Sequence, residues 1–160
     1  MTPDQLLGLW RRLAPLPGGR WLFGQCIGWG IPYSGSIGAK VRLLEPGHCI
    51  LLLHDRRRVR NHLCSIHAVA ITNAGELASG LAMTTALPVG TRAIVTKLTT
   101  EYLKKARGTI VVECRVADPP RPSVPMEVLV EATLTDAAGD LVARVQATWR
   151  VAPPESAKPR

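Results

Sequence analysis

Hydrophobic and polar positions change period along this chain, and each change marks an element. Over residues 3–13, Leu6, Leu7, Trp10 and Leu13 fall on one face of a helix, with Thr2 or Asp4 to cap it. Pro15, Pro17, Gly18 and Gly19 end that helix. Residues 20–35 have no clean period, because Gly28, Gly30, Pro32 and Gly35 interrupt the bulk of Trp21, Phe23 and Trp29. From Ile37 the pattern alternates through Ala39, Val41 and Leu43, turns at Pro46-Gly47, and returns as an apolar strand over 48–54. A cationic loop, 55–61, follows. From about 62 to 83 the period becomes helical, with Ile66, Ala70, Ala74, Leu77 and Leu81 on one stripe. Val69, Asn73, Glu76 and Gly80 lie on its flank. Leu87, Pro88 and Gly90 close the segment, and strands are expected over 91–105, 109–117, 126–135 and 141–151. The last strand has one wholly apolar face: Leu141, Ala143, Val145, Ala147, Trp149 and Val151.

This order predicts an α+β fold, an antiparallel sheet wrapped around one long apolar helix, with an extra N-terminal helix. It accounts for the run of small residues in the central helix, Ala68, Ala70, Ala74, Gly75, Ala78, Ser79 and Gly80. A sheet can close on a helix only if the side chains between them are short.

Composition narrows the picture. A length of 160 residues fits one domain, and 46% hydrophobic residues fit a globular one. Apolar runs are too short to span a bilayer, and the first thirty residues lack the order of a signal peptide, so the expectation is a soluble, cytoplasmic protein. The four cysteines form no C-x-x-C pair and read as reduced thiols; no metal is expected. A net charge of +8 points to an anionic partner. Aromatic content of 4% with no basic-aromatic interleaving argues against a nucleic-acid platform.

The candidate chemistry centres on residues 60–80, RNHLCSIHAVAITNAGELASG, where Glu76 is a single acid among small residues. Asn61 lies six residues before His67, and Glu76 nine after it. With these spacings at the start of the central helix, the chain resembles hotdog-fold acyl-CoA thioesterases, in the branch of the phenylacetyl-CoA-type enzymes. PYSGSIGAK before the segment and EYLKKARG after it look closest to an uncharacterised subgroup. The resemblance covers roughly residues 36–151 and implies a hotdog domain there, with 1–35 as a helical extension and 152–160 as a disordered tail. The family carries Gly-Gly after its His, whereas this chain has Ala68-Val69.

What the resemblance implies is thioester hydrolysis. The candidate catalytic residues are Glu76, which would activate water or attack directly, Asn61, which would orient water or the carbonyl, and His67, which would shape the turn rather than shuttle protons. The backbone N–H groups of Ala68 and Val69 would form the oxyanion site at the helix N-terminus. Glu76 lies about 13 Å along the helix from His67, so one helix cannot bring both ends to one carbonyl. Two antiparallel helices in a dimer can, and in the family the acid comes from the partner subunit. A homodimer or a dimer of dimers is therefore expected. Arg56, Arg57, Arg58 and Arg60 before the site, and Lys104, Lys105 and Arg107 after the long strand, are candidates for the phosphates of coenzyme A or the acidic surface of an acyl-carrier protein. No cofactor is expected beyond coenzyme A as part of the substrate. The alternative is a non-catalytic protein of the same fold that binds acyl-CoA or acyl-carrier protein.

Overall fold

The computed structural model describes residues 1–154. Helix α1 spans Pro3–Leu13, α2 Gly19–Gly30 and α3 Pro32–Ser36. Strands β1 (Lys40–Glu45) and β2 (His48–His54) form a hairpin over the Pro46-Gly47 turn, where Gly47 has φ +72°. The long helix α4 covers Ala68–Ala86. Strands β3 (Arg92–Tyr102), β4 (Thr109–Arg115), β5 (Met126–Thr135) and β6 (Leu141–Ala152) complete one six-stranded antiparallel sheet, ordered β1-β2-β4-β5-β6-β3.

The two periods meet in the core. Helix α4 lies across the sheet and buries Ala70, Ile71, Ala74, Gly75, Ala78 and Ala82. The sheet answers with Val112, Ala132, Leu134, Val145 and Ala147. Gly75 sets how closely they approach: a Cβ there would lie 2.4–2.9 Å from three side-chain atoms of Val145. Gly75→Ala is therefore expected to lower stability by about 1–3 kcal/mol through overpacking. Urea unfolding measures the loss, and adding Val145→Ala should recover part of it.

Residues 20–35, which the sequence pattern leaves ambiguous, form α2 and α3. The pair packs at Gly28 and Gly35, where a Cβ on Gly35 would come within 2.5 Å of the Gly28 Cα. Helix α1 has a capping box, with the Thr2 side chain accepting from the Gln5 N–H and Gln5 reaching back to the Thr2 N–H. Its Trp10 meets Phe23 of α2 edge to face, centroids 5.0 Å apart. Leu6, Leu7, Trp10, Phe23 and Ile27 thus join the same core as α4 and the sheet.

Several boundaries differ from expectation: β1 starts at Lys40 rather than Ile37, which caps α3, β4 ends at Arg115 rather than 117, and α4 runs on to Ala86. Helix α4 starts at Ala68, not 62, because Asn61 folds residues 61–65 into a tight turn: its Oδ1 accepts from the Leu63 N–H (2.9 Å), the Ser65 N–H and the Ser65 hydroxyl (both 3.2 Å). Strand β3 ends at Tyr102, since the N–H groups of Leu103 and Lys104 both turn to the Val142 carbonyl. Strand β6 continues through Ala152, paired with Arg92, which takes one residue from the expected tail; 155–160 of that tail lie outside the described residues. No helix of the described residues is long and apolar enough to cross a membrane.

Candidate active site

The N-terminus of α4 is built by side chains that would otherwise read as catalytic. His67 is the N-cap, in extended conformation (φ −64°, ψ 140°), and its Nδ1 accepts the Val69 N–H at 3.1 Å. An accepting Nδ1 places the neutral ring's proton on Nε2. The Val69 N–H is therefore occupied within its own turn. The Ala68 N–H has no acceptor among the described residues. Strand β3 holds this end in place: the Tyr102 hydroxyl donates to the Ala68 carbonyl (3.1 Å), and Thr72 Oγ1 lies 2.8 Å from both the Tyr102 and Thr100 hydroxyls. Asn61 spends its carbonyl oxygen on its own turn, and its NH₂ group has no hydrogen-bond partner among the described residues.

Glu76 sits two turns further along α4, about 12 Å from Ala68. It is half-buried on the flank of the helix and lines a cavity of about 320 Å³ walled by α1, α2 and Trp149. Burial pushes its carboxyl above the 4.5 of an ordinary glutamate, and a hydrogen bond from the Ser34 hydroxyl partly opposes the rise. A raised carboxyl is a stronger base once ionised. As a base it works only when ionised, so the acid limb of kcat/KM is expected above pH 4.5, which a pH–rate profile tests. For stability the sign is opposite. The folded-state pKa exceeds the unfolded one, so the contribution of Glu76 is full below the unfolded value and declines as pH rises through the folded one.

Within one chain the predicted catalytic and oxyanion residues divide among three cavities. Asn61, Ala68, Lys104 and Lys105 share one of about 330 Å³. His67, Val69, Arg58 and Arg60 share another of about 200 Å³ with Asn73. Glu76 stands alone in the third. Asn73, one turn before Glu76, is buried, and its Oδ1 has no hydrogen-bond partner.

Several of the predicted cations already have tasks. Arg56 donates to the carbonyls of Ile37 (3.1 Å) and Gly38 (2.9 Å), and Arg58 to that of Ser36, so both tie the cationic loop to α3. Arg60 pairs with Asp55 at 2.6 Å and holds that carboxyl below its usual range. Lys104 bridges Asp136 and Asp140. Arg57 and Lys105 are exposed with no ion pair among the described residues, and Arg107 adds its field to Asp55. The sequence pattern missed Arg20 and Lys40, which line a cavity of about 400 Å³ with Arg56, Arg58, Trp21 and Trp29. It also missed Ser34 as the hydrogen-bond partner of Glu76. Glycines obscured all three in residues 20–40. Among the described residues no group of three or more His, Cys, Asp or Glu could hold a metal ion.

Residues 19–151 match DUF4442, described as a domain of unknown function. The chain belongs to the DUF4442 family. Among solved structures, this DUF4442 protein is similar to a structural-genomics crystal structure at 28% identity and a TM-score of 0.80, covering 94% of this chain and 97% of that one. It is similar to a Pseudomonas aeruginosa protein of unknown function described as a "Probable Thioesterase", at 26% identity and a TM-score of 0.73, covering 86% and 96%. A thioesterase family protein from Silicibacter pomeroyi shares the fold at 18% identity and a TM-score of 0.69, covering 81% and 96%. No curated protein matches. Two of these relatives are described as a probable thioesterase and a thioesterase family protein, and the DUF4442 chain has the hotdog fold that the resemblance implied.

Proposed function

We propose that this protein is a homodimeric acyl-CoA thioesterase whose active sites lie between subunits. The observation that carries the reading is Glu76: a single half-buried carboxylate on a helix of small residues, with a cavity beside it. In the proposed reaction Glu76 takes a proton from water as the oxygen adds to the thioester carbon. The developing oxyanion faces the Ala68 N–H at the tip of the other subunit's α4. The carbon–sulfur bond then breaks, and the thiolate leaves and recovers the proton, giving a carboxylic acid and free coenzyme A.

Two features support the dimer. Glu76 and Ala68 of one chain are too far apart for one carbonyl. Strand β3 is an eleven-residue edge with one side unpaired, which is a template for a second strand. Around it and α4, Leu98, Tyr102, Val69, Trp29 and Tyr33 are exposed. A Streptococcus mutans protein of the same fold, 22% identical with a TM-score of 0.62, is described as bound to acetyl-CoA, which supports an acyl-CoA as the ligand class. Free Arg57 and Lys105, with Arg107, are the proposed contacts to its phosphates. A second reading, an acyl-CoA or carrier-protein binder without hydrolysis, is favoured by one detail: His67 Nδ1 occupies the Val69 N–H, leaving one of two oxyanion donors. Thiol release from a panel of acyl-CoAs separates the two, with the particle mass measured by light scattering. The proposal expects turnover by a dimer or larger even-numbered assembly; tight binding with no thiol release would establish the second reading.

A further inference from the structure

The cavity beside Glu76 has a chemistry of its own. Its apolar walls are Leu6 of α1, Ile27 and Ile31 at the end of α2, Leu81 of α4 and Trp149 of β6. Glu76 is the one charged side chain among its described lining residues. The Trp149 indole N–H donates to Ser79 Oγ (3.3 Å), which in turn donates to the Glu76 carbonyl (2.8 Å), so the ring is fixed relative to the acid with its polar group already satisfied. The lining continues past Glu76 to Gly80 and Thr84, two further turns of α4, a length of about 12 Å. At about 320 Å³ the space is at the small end of the roughly 300–1,000 Å³ typical of ligand pockets.

We propose that this cavity, walled by the N-terminal helices, is the acyl pocket and selects linear, medium-chain aliphatic acyl groups. A lining that runs two turns along a helix suits an extended chain, with its thioester carbon at Glu76. The lining reaches about 12 Å past Glu76, which matches a chain of medium length, and Trp149 and Ile27 on the walls would crowd a bulky ring. Leu6, Ile27 and Ile31 give the chain its apolar contacts, so α1 and α2 set specificity. This rests on Glu76 being the acid of the reaction.

Gly30 provides the test, since it lines the cavity and a Cβ there meets nothing within 4 Å, so a larger side chain can be added without a clash. Full-length protein is assayed for thiol release with acetyl-, hexanoyl-, decanoyl- and palmitoyl-CoA. Hexanoyl- or decanoyl-CoA should be preferred, and Gly30→Leu should lower the ratio of decanoyl to acetyl kcat/KM by about tenfold or more. Thr84→Leu, on the opposite wall, should shift the ratio the same way and serves if the first variant does not fold. An unchanged ratio in the folded variants, or a preference for palmitoyl-CoA, overturns the assignment. Should wild type release no thiol from any of these, the hydrolytic reading fails and calorimetry with the non-hydrolysable thioether analogues decides the pocket. Selective loss of decanoyl-analogue binding in Gly30→Leu upholds it, and equal binding overturns it.

Discussion

Glu76→Gln is expected to lower kcat for thiol release by about 10²–10⁴-fold, the usual contribution of a positioned general base. Glutamine keeps the volume of the side chain and an oxygen able to accept from Ser34, so the neighbouring cavity should survive the change. Affinity for a non-hydrolysable acyl-CoA analogue should stay close to that of wild type. Burial also disfavours the ionised acid in the folded state. The neutral amide should therefore make the protein more stable than wild type at neutral pH, with the difference shrinking as pH falls toward 4.5. A variant that is slower yet harder to unfold is a signature that a merely solvated surface acid would not give. Thiol release at the wild-type rate would remove Glu76 from the mechanism.

Much of this fold is legible in the sequence because its two periods are nearly unbroken. Alternation in 141–151 and the apolar run in 48–54 need no tertiary information, and the small residues of α4 already state that a sheet must close on it. At the candidate site, only what local chemistry decides is legible. His67 reads in sequence both as a catalytic candidate and as a residue that shapes the turn, and in the fold its Nδ1 caps the helix. Residues 20–35 were illegible for a physical reason. Gly28 and Gly35 are there for close contact between two helices, a long-range requirement that breaks the periodic signal it would need to be seen by. The cationic run misled differently. Arginine that grips backbone carbonyls, as Arg56 and Arg58 do, looks in sequence the same as arginine waiting for phosphate. Only the folded partners separate them.

Ala68→Pro should reduce kcat by about 10²–10³-fold, because it deletes the one α4 N–H left for an oxyanion. The substitution is unusually clean. Ala68 is the first helical residue, where proline's fixed φ fits and its missing N–H breaks no helical bond. His67 before it already holds the extended conformation that proline demands of its predecessor. Stability should be close to wild type, so lost activity cannot be assigned to unfolding. The variant also tests where the acid comes from. If each site takes Glu76 from one subunit and the Ala68 N–H from the other, a mixed dimer of Ala68→Pro and Glu76→Gln chains regains one intact site and leaves its second site doubly damaged. Unfolding and refolding the two inactive proteins together should then restore thiol release that neither shows alone. If acid and donor belonged to one chain, every site in that mixture would still lack one of them, and activity would stay at the level of the parents.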